Sequence, residues 1–291
     1  MLKEKLALNC LFIVLFFDLS RGQVYRNKPS PTPYHDWDYL IFSQRWPTTA
    51  CAHWEEIKKE NTCNLPKNKS LWTIHGLWPT KTGTEGPLFC PSAIHFNPDE
   101  LQPLMDDLKT YWVNIEANTK PNSLWAHEWK KHGTCSVTLP QLDSVANYFA
   151  SGLKFTKLYD LSRILANSGI VPNNVAYSVD AIYNVVKSAL KVNPTVQCVV
   201  DAKSKESFLS EIRICLNKTL DLTDCDGQKS KNGTITNCSL KKPVWYLESV
   251  PNTYELDYND DIFLEFQEHY ERQQRYTKIY KFVKFLTWFT L

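Results

Sequence analysis

A chain of 291 residues is long enough to bury a core, as one large domain or two small ones. With Lys+Arg 33 against Asp+Glu 31, the formal charge of +2 excludes a broad basic surface that grips a polyanion non-specifically. A hydrophobic share of 43% with only 9 Gly excludes a disordered, collagen-like or low-complexity chain.

The first 22 residues read as a secretory signal peptide: Lys3 and Lys5, an uncharged run from Leu6 to Phe17, then Ser20 and Gly22 ahead of a cut before Gln23. The run is shorter than the roughly 20 apolar residues that span a bilayer. A strand is expected from Asp38 to Trp46, closed by Pro47. Asn97-Pro98 supplies an N-cap and a first-turn proline for a helix carrying Leu101, Leu104, Met105, Leu108 and Trp112 at helical spacing. A second helix is expected from Asn122 to a stop at Gly133, and others from Gln141 to Phe155 and Ser178 to Leu190. Strands follow at Thr195–Val200, Phe208–Leu216 and Val244–Leu247. Helices and strands mix without regular alternation, which predicts an α+β fold.

Cys10 leaves with the signal. The even set that remains, Cys51, Cys63, Cys90, Cys135, Cys198, Cys215, Cys225 and Cys238, predicts four disulfides in an oxidising compartment. No C-x2-C pair occurs, which argues against structural zinc. Sequons at Asn68, Asn217, Asn232 and Asn237 agree with a secreted glycoprotein, Asn237 least because Cys238 is its middle residue.

Two segments concentrate reactive side chains: Trp72 to Pro79, reading WTIHGLWP, and His127 to Cys135, reading HEWKKHGTC. At about 100° per residue, His127, Lys131, Glu128 and His132 share one helical arc, bordered by Trp125 and Trp129 as an apolar anchor. A zinc helix needs histidines at i and i+4, whereas His127 and His132 stand at i and i+5, and Lys131 between them suits a phosphate better than a cation. Taken alone, the cluster also reads as a solvated charged face, and a histidine in the strand-like first segment also reads as a satisfied core residue.

Together the two blocks resemble the active-site signatures of the ribonuclease T2 family. The likeness extends to Gln44-Arg45-Trp46-Pro47 and the order of the eight cysteines, so it spans roughly residues 35 to 248. It implies an α+β domain (residues 23–248) with a central antiparallel sheet flanked by helices and stapled by Cys51–Cys63, Cys90–Cys135, Cys198–Cys238 and Cys215–Cys225. It implies a monomer that cleaves single-stranded RNA, not DNA, by attack of a ribose 2′-OH and without a cofactor or metal. His75 and His132 resemble the acid/base pair, in an order the sequence leaves open. Lys131 and Glu128 resemble stabilisers of the transition state, and His127 a phosphate-binding residue. Trp78 resembles a base-stacking aromatic, against the alternative of a core tryptophan beside Pro79. Gln44 reads evenly as a base contact or a strand end. Many relatives carry an acid where this chain has Thr80, which leaves base preference open. The Cys215–Cys225 loop lies far along the chain from both blocks and is expected to matter mainly for stability. His35, His53, His95 and His269 read as surface or structural.

Residues 249–291 extend past the likeness. Acidic from Asp260 to Glu271 and basic from Arg272 to Lys284, they suit an amphipathic helix on a membrane surface or partner. A helix packed on the domain, or a poorly ordered end, is the favoured alternative. The expected destination is extracellular or the lysosomal or vacuolar lumen, and the rival function is recognition of cells or receptors by a glycoprotein whose nuclease site is incidental.

Overall fold

The computed structural model describes residues 33–201, 204–225 and 236–250. The signal peptide, Asn232 and all but the first two residues of the C-terminal extension lie outside them.

After a 3-10 turn at Pro33–His35, the elements run β1 (Tyr39–Arg45), α1 (Pro47–Ile57) and β2 (Thr73–Thr80). A 3-10 stretch, Pro98–Leu104, leads into α2 (Met105–Tyr111), then α3 (Ser123–Glu128), a π-helical turn (Trp129–Gly133) and α4 (Thr134–Ser136). The rest are α5 (Val145–Leu158), α6 (Leu161–Ala166), β3 (Val175–Tyr177), α7 (Val179–Leu190), β4 (Thr195–Val200), β5 (Ser207–Leu216), β6 (Leu222–Thr223) and β7 (Val244–Tyr246). Asn97, Ser144, Asp160 and Ser178 cap their helices through side-chain oxygens that accept backbone N–H groups.

The strands form one sheet in the order β2-β1-β5-β7-β3, with β4 and β6 also on β5. It is antiparallel as expected except where β5 and β7 run parallel at Ser207–Phe208, which makes it mixed. Pro47 does more than end a strand, since it occupies the first turn of α1, where its missing N–H has no helical partner to lose. One face of the sheet carries Leu40, Phe42, Ile74, Leu77, Ile212 and Ile214 into the main core against α5. The other carries Ile41, Ser43, Arg45, Glu211 and Arg213.

β2 lies at a sheet edge, and helices satisfy its outer side. Tyr148 Oη of α5 donates to the Leu77 carbonyl at 2.8 Å and accepts from the Leu77 N–H at 3.3 Å. The Trp112 indole donates to the His75 carbonyl at 3.1 Å. The four expected disulfides are all present.

Candidate active site

β1 and β2 pair in register until Ser43 faces Gly76 and Gln44 faces Ile74, which leaves His75 as the extra residue of a bulge. A bulge re-aims the side chain it carries. Here it turns His75 onto the same face as Trp78, with the two rings edge to face at 5.0 Å. Gly76 is required by contact: a Cβ there would lie 2.0 Å from Glu128 Oε2 and 2.3 Å from Trp78 Nε1. Trp78 Nε1 donates to that Glu128 oxygen at 2.8 Å, tying strand to helix. The Trp78 ring also lies against His132 at 5.4 Å and beneath the Arg213 guanidinium at 5.0 Å.

The second block departs from the expected helix. α3 passes at Trp129 into the π-turn, and Gly133 does not stop it, because its backbone stays right-handed and continues into α4. Glycine serves packing here, since a Cβ would meet the Trp129 ring at 2.4 Å. The ideal-helix angles therefore hold only as far as Glu128, and beyond it the wider turn resets where Lys131 and His132 point. His132 and Glu128 are buried, Lys131 is half-buried and His127 is exposed. The turn is fixed at its far end by Cys90–Cys135 and by the Phe89 N–H, which donates to the Lys131 carbonyl at 2.8 Å.

Burial, then the charges of Lys131, His75 and His127, pushes the His132 pKa down to about 2, so this ring is neutral in the free protein. Its Nδ1 is buried without a hydrogen-bond partner among the described residues. Burial raises the Glu128 carboxyl above its ordinary value, against the opposing pull of His75, the Trp78 hydrogen bond, Arg45 and Lys131. Partial desolvation and the Lys131 charge lower His127.

The structure adds two residues that the sequence reading passed over. Glu211 Oε1 lies 2.5 Å from His75 Nδ1, and its Oε2 accepts from Ser43 Oγ at 3.1 Å and from Arg213 Nε and Nη2 at 3.1 and 3.0 Å. Their signal was alternation: Glu211 and Arg213, of opposite charge and two apart, share one face of β5.

Other expected residues fall elsewhere. Gln44 stands on the core face, where its Nε2 donates to the Tyr159 carbonyl at 2.9 Å. Asn68 is exposed, Asn217 folds its side-chain oxygen onto its own turn, and the Asn237 carboxamide pairs with both backbone groups of Cys198. His35 Nδ1 contacts the Cys135 carbonyl at 3.2 Å, a structural place. Cys215–Cys225, far along the chain from both blocks, lies close in space: with Tyr39 and Ile41 it forms a small cluster against which Trp78 packs.

Comparison with known proteins gives one answer. Residues 37–225 match the Ribonuclease T2 family. Ribonuclease Oy of Magallana gigas is 40% identical over 214 residues, 72% of this chain and 96% of that protein. Ribonuclease T2 of Sus scrofa is 36% identical over 194 residues, covering 66% and 90% respectively. Among solved structures, human RNase T2 superposes with a TM-score of 0.60 at 30% identity, over 73% of this chain and 99% of that one. Ribonuclease MC1 from bitter gourd seeds gives 0.56 at 30% identity, over 65% and 94%. With both reactive blocks inside the matched span and folded together, the chain belongs to the ribonuclease T2 family as a T2-type endoribonuclease.

Proposed function

We propose that the protein cleaves single-stranded RNA without a metal, by transphosphorylation through a 2′,3′-cyclic phosphate, with His132 as base and His75 as acid. The observation that carries this reading is the contrast between two histidines on either side of Trp78. The neutral His132 ring can accept a proton once a bound phosphate's negative charge raises its affinity for one, and His75, its Nδ1 bound to Glu211, presents Nε2 to the leaving oxygen.

In the first step His132 takes the 2′-OH proton, O2′ bonds to phosphorus, the P–O5′ bond breaks, and His75 delivers a proton to O5′. Lys131 and exposed His127 face the non-bridging oxygens, where added negative charge is favoured by a fixed cation. Glu128, anchored by Trp78, holds its place under the cluster. DNA lacks the nucleophile. Variants of RNase MC1 are solved in complex with 5′-UMP and with 5′-GMP, which supports binding of a nucleotide substrate. Support for metal independence is electrostatic: the Lys131 charge acts on both His127 and His132, where it would repel a cation. The disulfides support an oxidising destination, secreted or lysosomal, and exposed Asn68 suits a glycan.

Digestion of a defined single-stranded RNA in EDTA tests the reading, with cyclic phosphate ends expected. His75→Phe and His132→Phe should each lower kcat/KM by at least ~10²-fold with the fold retained. Loss of activity on chelation and its return with zinc would overturn the metal-free scheme, and near-normal cleavage by either variant would overturn its role.

A further inference from the structure

We infer that Glu211 is a positioning residue for His75, fixing its tautomer so that Nε2 is the nitrogen offered to the leaving oxygen. The inference rests on the reading of His75 as an acid/base group and adds the part that keeps that ring in one orientation.

The geometry carries it. Glu211 stands on the central strand β5 opposite Arg45 of β1, its side chain only 12% exposed. One carboxylate oxygen meets His75 Nδ1, while the other is held by Ser43 and by both Arg213 donors. With Oε2 held from two sides, the carboxylate plane cannot turn without breaking those bonds. Burial disfavours its charged form, but the charge of and hydrogen bond to His75, and then those of Arg213, outweigh burial and keep it ionised well below the ordinary carboxylate range. An ionised carboxylate only accepts, so the shared proton belongs to Nδ1 of His75. Nε2 is then the nitrogen left for chemistry, whether the ring is neutral or charged.

The arrangement is closed by the groups around it. Arg213, which holds Glu211, also covers the Trp78 ring, and Trp78 stands edge-on to His75 and holds Glu128. The charged and titratable groups that act on His75 are Glu211 from β5, with Arg213 behind it, and His127, Glu128 and His132 from the helical segment. Of these, Glu211 is the one that touches the ring nitrogen. A carboxylate behind a histidine commonly sets its tautomer in this way, and outer partners of this kind are worth about 10- to 100-fold in activity.

The test pairs kinetics with a signature of the ring. In ¹⁵N-labelled protein, the ring-nitrogen shifts of His75 should report a proton on Nδ1 in the wild type and a mixture of tautomers in Glu211→Ala. The same variant should lose about 10- to 100-fold in kcat with little change in KM. Glu211→Gln, nearly isosteric and still able to accept from Nδ1, should recover part of the rate and most of the signature, and it guards against a folding defect in the alanine variant. Wild-type kcat in Glu211→Ala, or reduced kcat with the His75 signature unchanged, would overturn the positioning role. His75→Phe measured alongside separates the failures: if it is fully active, the reading of His75 itself falls, and if it is inactive while Glu211→Ala is normal, only the role of Glu211 falls.

Discussion

His75 stands on a strand and His132 on a helical turn, and the two places are held by different physics. His75 takes its direction from the bulge against β1 and its ring from Glu211 on β5, so its geometry comes from sheet register among residues far apart in sequence. His132 takes its direction from a π-turn, a glycine pressed on Trp129 and a disulfide that ends the turn, all within or bonded to one short segment. The strand half is fixed by hydrogen bonds to ionised partners. The helical half is fixed by packing and covalent closure, and its buried histidine is kept neutral. A difference in surroundings between two like side chains thus follows from the kind of element each stands on.

The seam between the halves is where this comparison breaks most readily. Gly76→Ala would drive a methyl into Glu128 Oε2 and Trp78 Nε1, at 2.0 and 2.3 Å. A displacement of about 1 Å at reacting groups is worth ~10²-fold, so the variant should lose at least that in kcat/KM while the far-ultraviolet spectrum stays native. Normal activity would show that the halves are not in rigid contact.

The disulfides sharpen it next. Removing Cys90 and Cys135 together should cost about 2–5 kcal/mol in denaturant unfolding and reduce specific activity, because the bridge closes the end of the helical half. Removing Cys215 and Cys225 should cost no more in stability and should also lower activity, through the cluster behind Trp78. An effect of the second pair on stability alone would restore the expectation from chain distance.

The smallest effect is in pH. Folding keeps His132 unprotonated, with its pKa down at about 2, whereas an unfolded histidine binds a proton below about 6.5. The unfolded chain therefore gains protons first, and the stability associated with neutral His132 is present above that value and lost as the pH falls. Glu128 acts in the opposite sense, since its raised folded pKa favours the native state on acidification. Thermal unfolding of His132→Asn should show a shallower fall in Tm between about pH 6.5 and 4.5 than the wild type. An unchanged slope would mean that His132 is not the group held neutral.

Sequence and structure agree where local chemistry decides. The N-cap at Asn97, the helix starting near Ser178 and the strand Thr195–Val200 were legible because their signals are read within a few residues. His75, Glu128, Lys131 and His132 were legible as two consecutive blocks. Glu211 was not, because its meaning comes from a pairing 136 residues away and nothing near it in the chain announces a histidine. The π-turn was hidden for a related reason: a glycine after a basic run signals a helix end, and only the Trp129 ring against Gly133 shows that the residue is there for space. α1 was missed because proline suits both the close of a strand and the first turn of a helix.

The outer edge of β2 bears on how the molecule keeps to itself. An edge strand presents unpaired backbone groups that another chain can extend. Here the strand that carries His75 has its outward carbonyls at His75 and Leu77, and the Leu77 N–H, already bonded to Trp112 and Tyr148. A second strand could add there only by expelling two buried aromatic side chains from the core. The strand that carries His75 is thereby insulated from sheet-to-sheet association.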